Sequence, residues 1–270
     1  NDFLREWVTK RESFLQLLLE LEGPFNDGLC TQCGSSDGHF CCSDYIGDLV
    51  HCHTCFMEHH KLLPFHRIQK WNGTYFDKTT LHDQGYILHL GHHGGICPDM
   101  EDPWLDIEGN LPGADNDGMV NTVHTTGVFK HKVRWCQCQS APKKTVQLFQ
   151  LQLFPASHLQ PETAFTFDVL DHFHIDAMEC KTAAASFIKK LCRLTNNAFP
   201  YVVPNREREL CRVSRQWHDL QSRKWLGFGH DVEKTPQNGN LAHYCPACPQ
   251  PGINLPDDWN SVGEVWFGLV

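Results

Sequence analysis

Apolar residues crowd one side of a helix through the first twenty-two positions of the chain. Phe3, Leu4, Trp7, Phe14, Leu15, Leu18 and Leu19 recur at helical spacing, and Gly23-Pro24 ends the run. The plain role of such a helix is packing. Strand-like patches follow at Ile68, Trp71, Tyr75-Phe76 and Tyr86–Leu90. Residues 91–118 then break every period with Gly94-Gly95, Pro98 and Asp115-Asn116-Asp117-Gly118, which reads as a long loop. Val128, Lys130, Lys132 and Arg134 alternate with Phe129, His131, Val133 and Trp135, predicting a strand. A second alternation, Gln147–Phe154, is closed by Pro155, so the middle of the chain is expected to form a small antiparallel β region.

Beyond Pro161 the period changes. Phe173, Ala184, Phe187, Ile188, Leu191 and Leu194 sit at helix spacing, making Glu162–Leu194 a helical stretch. A further helix is predicted from Pro204 to Trp225, stopped by Gly227 and Gly229. A coil carrying Cys245-Pro246-Ala247-Cys248 leads to an aromatic tail, Trp259 to Phe267. No repeat of solenoid period is visible.

The polar positions carry the chemistry. Between 30 and 66 the run is C-x2-C-x7-C-x2-D-x7-C-x2-C-x4-H-x5-H, formed by Cys30/Cys33, Cys41/Asp44, Cys52/Cys55 and His60/His66. A C-x2-C turn delivers two thiolates to one ion with little strain, and tetrahedral zinc takes four such donors. Four pairs therefore read as two zinc ions with every position filled by protein, a structural arrangement. Cys42 can stand in for Cys41, and His59 for His60. Cys136-x-Cys138 with Cys245-x2-Cys248 would make a third, four-thiolate site, and Cys97 with His92 or His93 is another source of ligands. Cys180, Cys192 and Cys211 fall on predicted helices and read as core thiols.

Composition narrows the class. Of 270 residues, 41% are hydrophobic, enough for a core, and no apolar run reaches the length of a membrane span. Fourteen cysteines would suit a disulfide scaffold, but most lie in close pairs beside histidine, pointing to zinc in a reducing compartment, nuclear or cytoplasmic and not secreted. A net charge of −9 excludes a polycation that coats nucleic acid. It leaves room for a local basic face: Arg208, Arg212 and Arg215 share one side of the Pro204–Trp225 helix. The competing reading is a solvated face balanced by Glu207, Glu209 and Asp219. No H-x-E accompanies the Cys pairs, so a base deaminase fails on residue types. The carboxylates of Asp99–Asp117 show no arrangement for a magnesium site. No small-molecule substrate is indicated.

The order of the four ligand pairs resembles the B-box zinc fold, in which the first and third pairs share one ion and the second and fourth the other. That resemblance implies Cys30, Cys33, Cys52 and Cys55 around one zinc, and Cys41, Asp44, His60 and His66 around the second. More of the chain is similar to another family. The segments Pro64–Phe76, Leu88–His92, Trp135–Cys138, Phe154–Ala156, Thr163–Phe167, Arg193–Asn197, Arg215–Leu220 and Cys245–Pro256 resemble the CxC-type cysteine cluster region of fungal Kyakuja-Dileera-Zisupton (KDZ) transposases. The resemblance implies a zinc-chelating module joined to an RNase H-like domain that cuts and joins DNA. That domain would begin after Trp266–Val270, so this chain is expected to be non-catalytic. Asp44 departs from the Cys that relatives carry. Expected partners are transposon DNA or other transposase subunits; the rival expectation is a protein-interaction module of B-box type.

The expected class is therefore α+β, stabilised by zinc. Its order is an N-terminal helix (1–25), a B-box-like two-zinc cluster (26–70), a small antiparallel β region with a long loop (71–160), a helical region (161–232) and a Cys-Pro-Ala-Cys segment (233–270).

Overall fold

The computed structural model describes residues 2–23, 28–35, 37–47, 49–99, 118–230, 235–237 and 239–241. The architecture is α+β. The chain divides into two units, residues 1–215 and 216–270. The described part of the second is essentially the last turns of its longest C-terminal helix, so the account below concerns the first.

Helix α1 (Asp2–Glu20) forms where the helical period predicts it, yet none of its residues is buried. Trp7 and Phe14 stack on one another at 5.7 Å, about two helical turns apart, on a face open to solvent. The expected packing role is not met by any described part of the chain.

A three-stranded antiparallel sheet follows, ordered β1 (Phe40–Cys42), β2 (Ile68–Trp71), β3 (Phe76–Thr79). The short helix α2 (His53–His59) lies between its first two strands in sequence. A second sheet has five strands in the order β4 (Ile87–His89), β6 (Gly127–Arg134), β5 (Met119–His124), β8 (Thr163–Thr166), β7 (Leu153–Pro155). Strands β5 and β6 form a hairpin, and β7 pairs antiparallel with β8. Both β4–β6 and β5–β8 are parallel, so this sheet is mixed where antiparallel pairing was expected throughout. Parallel partners need long crossovers, which here contain the residues between 89 and 127 and the helix α3 (Lys144–Gln150).

Two assignments from periodicity are corrected. Gln147–Phe154 is not one strand: α3 (Lys144–Gln150) occupies its first half, and only β7 is extended. Gln147 and Leu148 are both buried, so apolar alternation was the wrong test there. Thr163–Thr166, expected as helix, is a strand buried at every position between β5 and β7. The helix begins one residue later: Thr166 caps α4 (Phe167–Glu179), its hydroxyl accepting from the N–H of Val169. Helices α5 (Ala184–Thr195) and α6 (Glu207–Trp225) are the last among the described residues, α6 running across the division between the units.

One apolar core joins the two sheets. Phe40, Phe56 and Ile68 from the segment that carries the first four ligand pairs belong to the same buried cluster as Tyr86, Leu88, Val120, Val133, Leu148 and Ala164. Polar bonds stitch the same seam: Tyr86 Oη donates to the carbonyl of Lys61 at 3.1 Å and Thr126 Oγ1 to that of Phe65 at 2.8 Å. Buried His131, on β6, meets the Pro64 carbonyl at 2.9 Å. Desolvation lowers its pKa to about 4, so it is a neutral donor at physiological pH.

Candidate metal centres

Cys30, Cys33, Cys52 and Cys55 converge with their ligand atoms all within 4.8 Å of one another. The first pair sits on a tight turn closed by the Gly34 N–H on the Cys30 carbonyl at 2.8 Å, with the Cys30 N–H on Ser35 at 2.7 Å. Cys52 and Cys55 flank the start of α2, where Phe56 N–H bonds the Cys52 carbonyl at 2.9 Å. Cys33 Sγ lies 3.7 Å from Cys52 Sγ. A zinc–sulfur bond of about 2.3 Å gives a tetrahedron edge of about 3.8 Å, so the spacing suits a shared ion. The four thiols cannot all ionise side by side. Burial opposes the Cys30 thiolate, but the backbone N–H groups of Cys33, Cys52 and Gln32 outweigh it and bring its pKa to about 6. Cys55, bonded to Cys52, is pushed up to about 12. A divalent cation resolves that conflict, since it stabilises all four thiolates.

A second group is Cys42, His60 and His66. Cys42 Sγ stands 3.4 Å from His66 Nδ1. His60 is fully buried; its Nδ1 lies 2.9 Å from the Phe56 carbonyl, while its Nε2 has no hydrogen-bond partner. That is the arrangement of a metal-binding imidazole, in which a carbonyl fixes the tautomer and leaves the other nitrogen's lone pair free. Desolvation holds the His60 pKa at about 4 and lifts that of Cys42 to about 11. The imidazole is thus already in its ligating form, and the thiol needs a cation to lose its proton.

This second group differs from the expected Cys41, Asp44, His60 and His66. Successive side chains on β1 point to opposite faces, so Cys42 turns inward and Cys41 turns toward Gln69, its Sγ 3.4 Å from Oε1. The Asp44 carboxylate is taken by Arg67, which donates from its backbone N–H, from Nη2, and from Nε at 3.0 Å. Although burial acts against it, this pairing keeps the Asp44 pKa below the ordinary carboxylate value. His59 lies outside the group, with Nε2 3.3 Å from Gln32 Oε1.

The third group is His92, Cys97, Cys136 and Cys138. His92 Nε2 is 3.2 Å from Cys138 Sγ and 3.3 Å from Cys136 Sγ, and Cys97 Sγ is 3.5 Å and 3.8 Å from the same two sulfurs. Backbone N–H donation, led by that of Gln137, brings the Cys97 pKa to about 6, whereas bonding to Cys97 sends Cys138 to about 12. Gln147, from α3, clamps the loop: its Oε1 accepts from the Cys136 N–H at 2.8 Å, and its Nε2 donates to the carbonyls of Cys136 and Pro142 at 3.2 Å and 2.9 Å. Nothing in the sequence singled out Gln147. Cys245 and Cys248, expected to complete this site, lie outside the described residues.

The expected arginine face is exposed at Arg208, Arg212 and Arg215. Arg212 Nη2 donates to the Ala156 carbonyl, tying α6 to the end of β7. No disulfide joins the described cysteines.

No curated protein and no solved structure matches the chain. Residues 81–199, which hold β4 through α5 and the entire third group, match the family model of the CxC2-like cysteine cluster associated with KDZ transposases.

Proposed function

We propose that the chain is a zinc-organised accessory region of a KDZ-type transposase that engages transposon-end DNA, with strand chemistry supplied by a separate RNase H-like domain. Two structural zinc ions would be held by the four donors Cys30/Cys33/Cys52/Cys55 and by the four donors His92/Cys97/Cys136/Cys138, and a third zinc by the three donors Cys42/His60/His66. Each ion would tie loops to the common core and would leave the chemistry elsewhere. The nucleus is the compartment this role requires, and no helix among the described residues is long and apolar enough to cross a membrane.

The observation that supports a DNA contact is uncompensated charge on α6. Arg206 and Arg223 pair with Glu209 and Asp219, whereas Arg208, Arg212 and Arg215 make no ion pair among the described residues. Changing these three to Ala should weaken binding to transposon-end duplex and flatten the plot of log affinity against log salt by about 3, at about 0.9 per phosphate contact. Unaltered affinity and slope would remove the proposed face.

A protein-binding role is favoured by one observation, the apolar face of α1, with Phe3 90% and Leu18 62% exposed. Deleting residues 1–22 should then change the solution mass of the assembly while DNA binding persists.

A further inference from the structure

Strand β6 carries Lys130, Lys132 and Arg134 at alternate positions, so all three stand on one face of the larger sheet. The parallel register with β4 sets Lys132 beside Ile87 and Arg134 beside His89 on that same face. The opposite face presents Leu88, His131 and Val133 to the core. None of the three cations makes an ion pair among the described residues, in a chain whose net charge is −9.

Ordinary explanations for this row fail. Lysine on a strand is commonly a guard against edge-to-edge pairing, but β6 lies inside the sheet, between β4 and β5. A solvated face mixes signs, and here no described carboxylate pairs with any of the three. Like charges lined along one strand repel, and lysine is disfavoured in strands. The row also leads somewhere. His89 and Arg134 form part of the wall of a groove of about 830 Å³ that His53, Lys61 and Tyr86 also line. The groove wall has one described carboxylate, Glu58, held 3.9 Å from Lys61. His89 Nδ1 is shielded from solvent without a hydrogen-bond partner.

We infer that this face and the groove it enters bind the backbone of a single nucleic-acid strand. Alternate residues of a strand are about 6.6 Å apart, a step on the scale of one nucleotide in an extended chain. The cations would follow successive phosphates, and the His53 and His89 rings would offer flat surfaces to unstacked bases. A duplex presents grooves that admit a helix or a two-stranded ribbon, which the interior of a five-stranded sheet cannot enter. This site is independent of the arginine face of α6.

The test uses the metal-loaded chain and fluorescence anisotropy with a labelled oligothymidine and a duplex of equal length, across a range of salt. Wild type should prefer the single strand. Changing Lys130, Lys132 and Arg134 together to Ala should reduce that affinity at least tenfold at low salt and flatten its salt slope by about 2, at about 0.7 per contact for single strands. Duplex binding should survive, and the R208A/R212A/R215A protein should show the reverse pattern. If the triple change disturbs folding, seen as lost zinc, the exposed Lys130→Glu alone should still weaken the single-strand complex. Equal loss of both nucleic acids, no loss of the single strand, or displacement of the oligothymidine by polyglutamate at equal charge would each overturn the inference. Loss confined to the α6 variant would overturn it and leave the duplex proposal standing.

Discussion

The second metal group turns on one residue of register. Cys41 and Cys42 are adjacent and chemically identical, and the C-x2-D spacing favours Cys41. Strand pleat decides otherwise: paired with Ile68 on β2, Cys42 faces His66, while Cys41, opposite Gln69, faces away. Asp44 is drawn off by Arg67: Oδ1 accepts from both Nε and Nη2 of the guanidinium, and Oδ2 accepts from the Arg67 backbone N–H, charge-assisted bonds that occupy both carboxylate oxygens. Cys42→Ser should therefore lower the zinc content by one ion, read by native mass spectrometry, whereas Cys41→Ser and Asp44→Asn should retain the full complement. Zinc loss in Cys41→Ser with none in Cys42→Ser would reverse the assignment.

At the scale of elements, the third group depends on a glycine. Gly91 has φ +83°, in the left-handed region, and a Cβ there would stand 2.8 Å from Cys136 Cβ. It turns the chain out of β4 into the short turn that carries His92, while the Leu90 N–H holds the Arg134 carbonyl at 2.8 Å. Gly91→Ala should cost about 1–3 kcal/mol of stability and loosen the third zinc selectively, measured by thermal unfolding together with chelator-release kinetics. Wild-type melting and release would show that the turn tolerates the methyl. Elements also mark where periodicity misleads. The alternation of Gln147–Phe154 is shared between a two-turn helix and a three-residue strand, and short apolar segments suit either. Thr163–Thr166 became a strand because β5 and β7 wait on both sides, information that no local window contains.

On the scale of the whole molecule, the zinc-ligand region is more than a metal-folded appendage. Its polar composition suggests that the ion supplies most of its folding energy, yet Phe40, Phe56 and Ile68 are buried in a core shared with the five-stranded sheet. Chelation should therefore destabilise the two sheets together. Stripping zinc is expected to give one cooperative loss of protection in hydrogen exchange across β1, β2, β4 and β6. An apo chain that kept the five-stranded sheet protected while losing the smaller one would show two independent bodies.

The sequence by itself determined the donors that are close along the chain. C-x2-C and C-x-C turns bring thiolates together through local geometry, so Cys30/Cys33, Cys52/Cys55 and Cys136/Cys138 were legible, as were the long helices and the strand at 127–134. The B-box-like order of the pairs also anticipated Cys30/Cys33 meeting Cys52/Cys55; tertiary structure decided the other two groups, because they depend on strand parity and sheet order. It chose Cys42 over Cys41, gave Asp44 to Arg67, and carried His92 and Cys97 to the C-x-C pair across a parallel β4–β6 contact. It also placed Lys130, exposed, with Lys132 and Arg134, half-buried, on the face of the sheet opposite His131 and Val133, since a period of two records alternation but not which side the core will take.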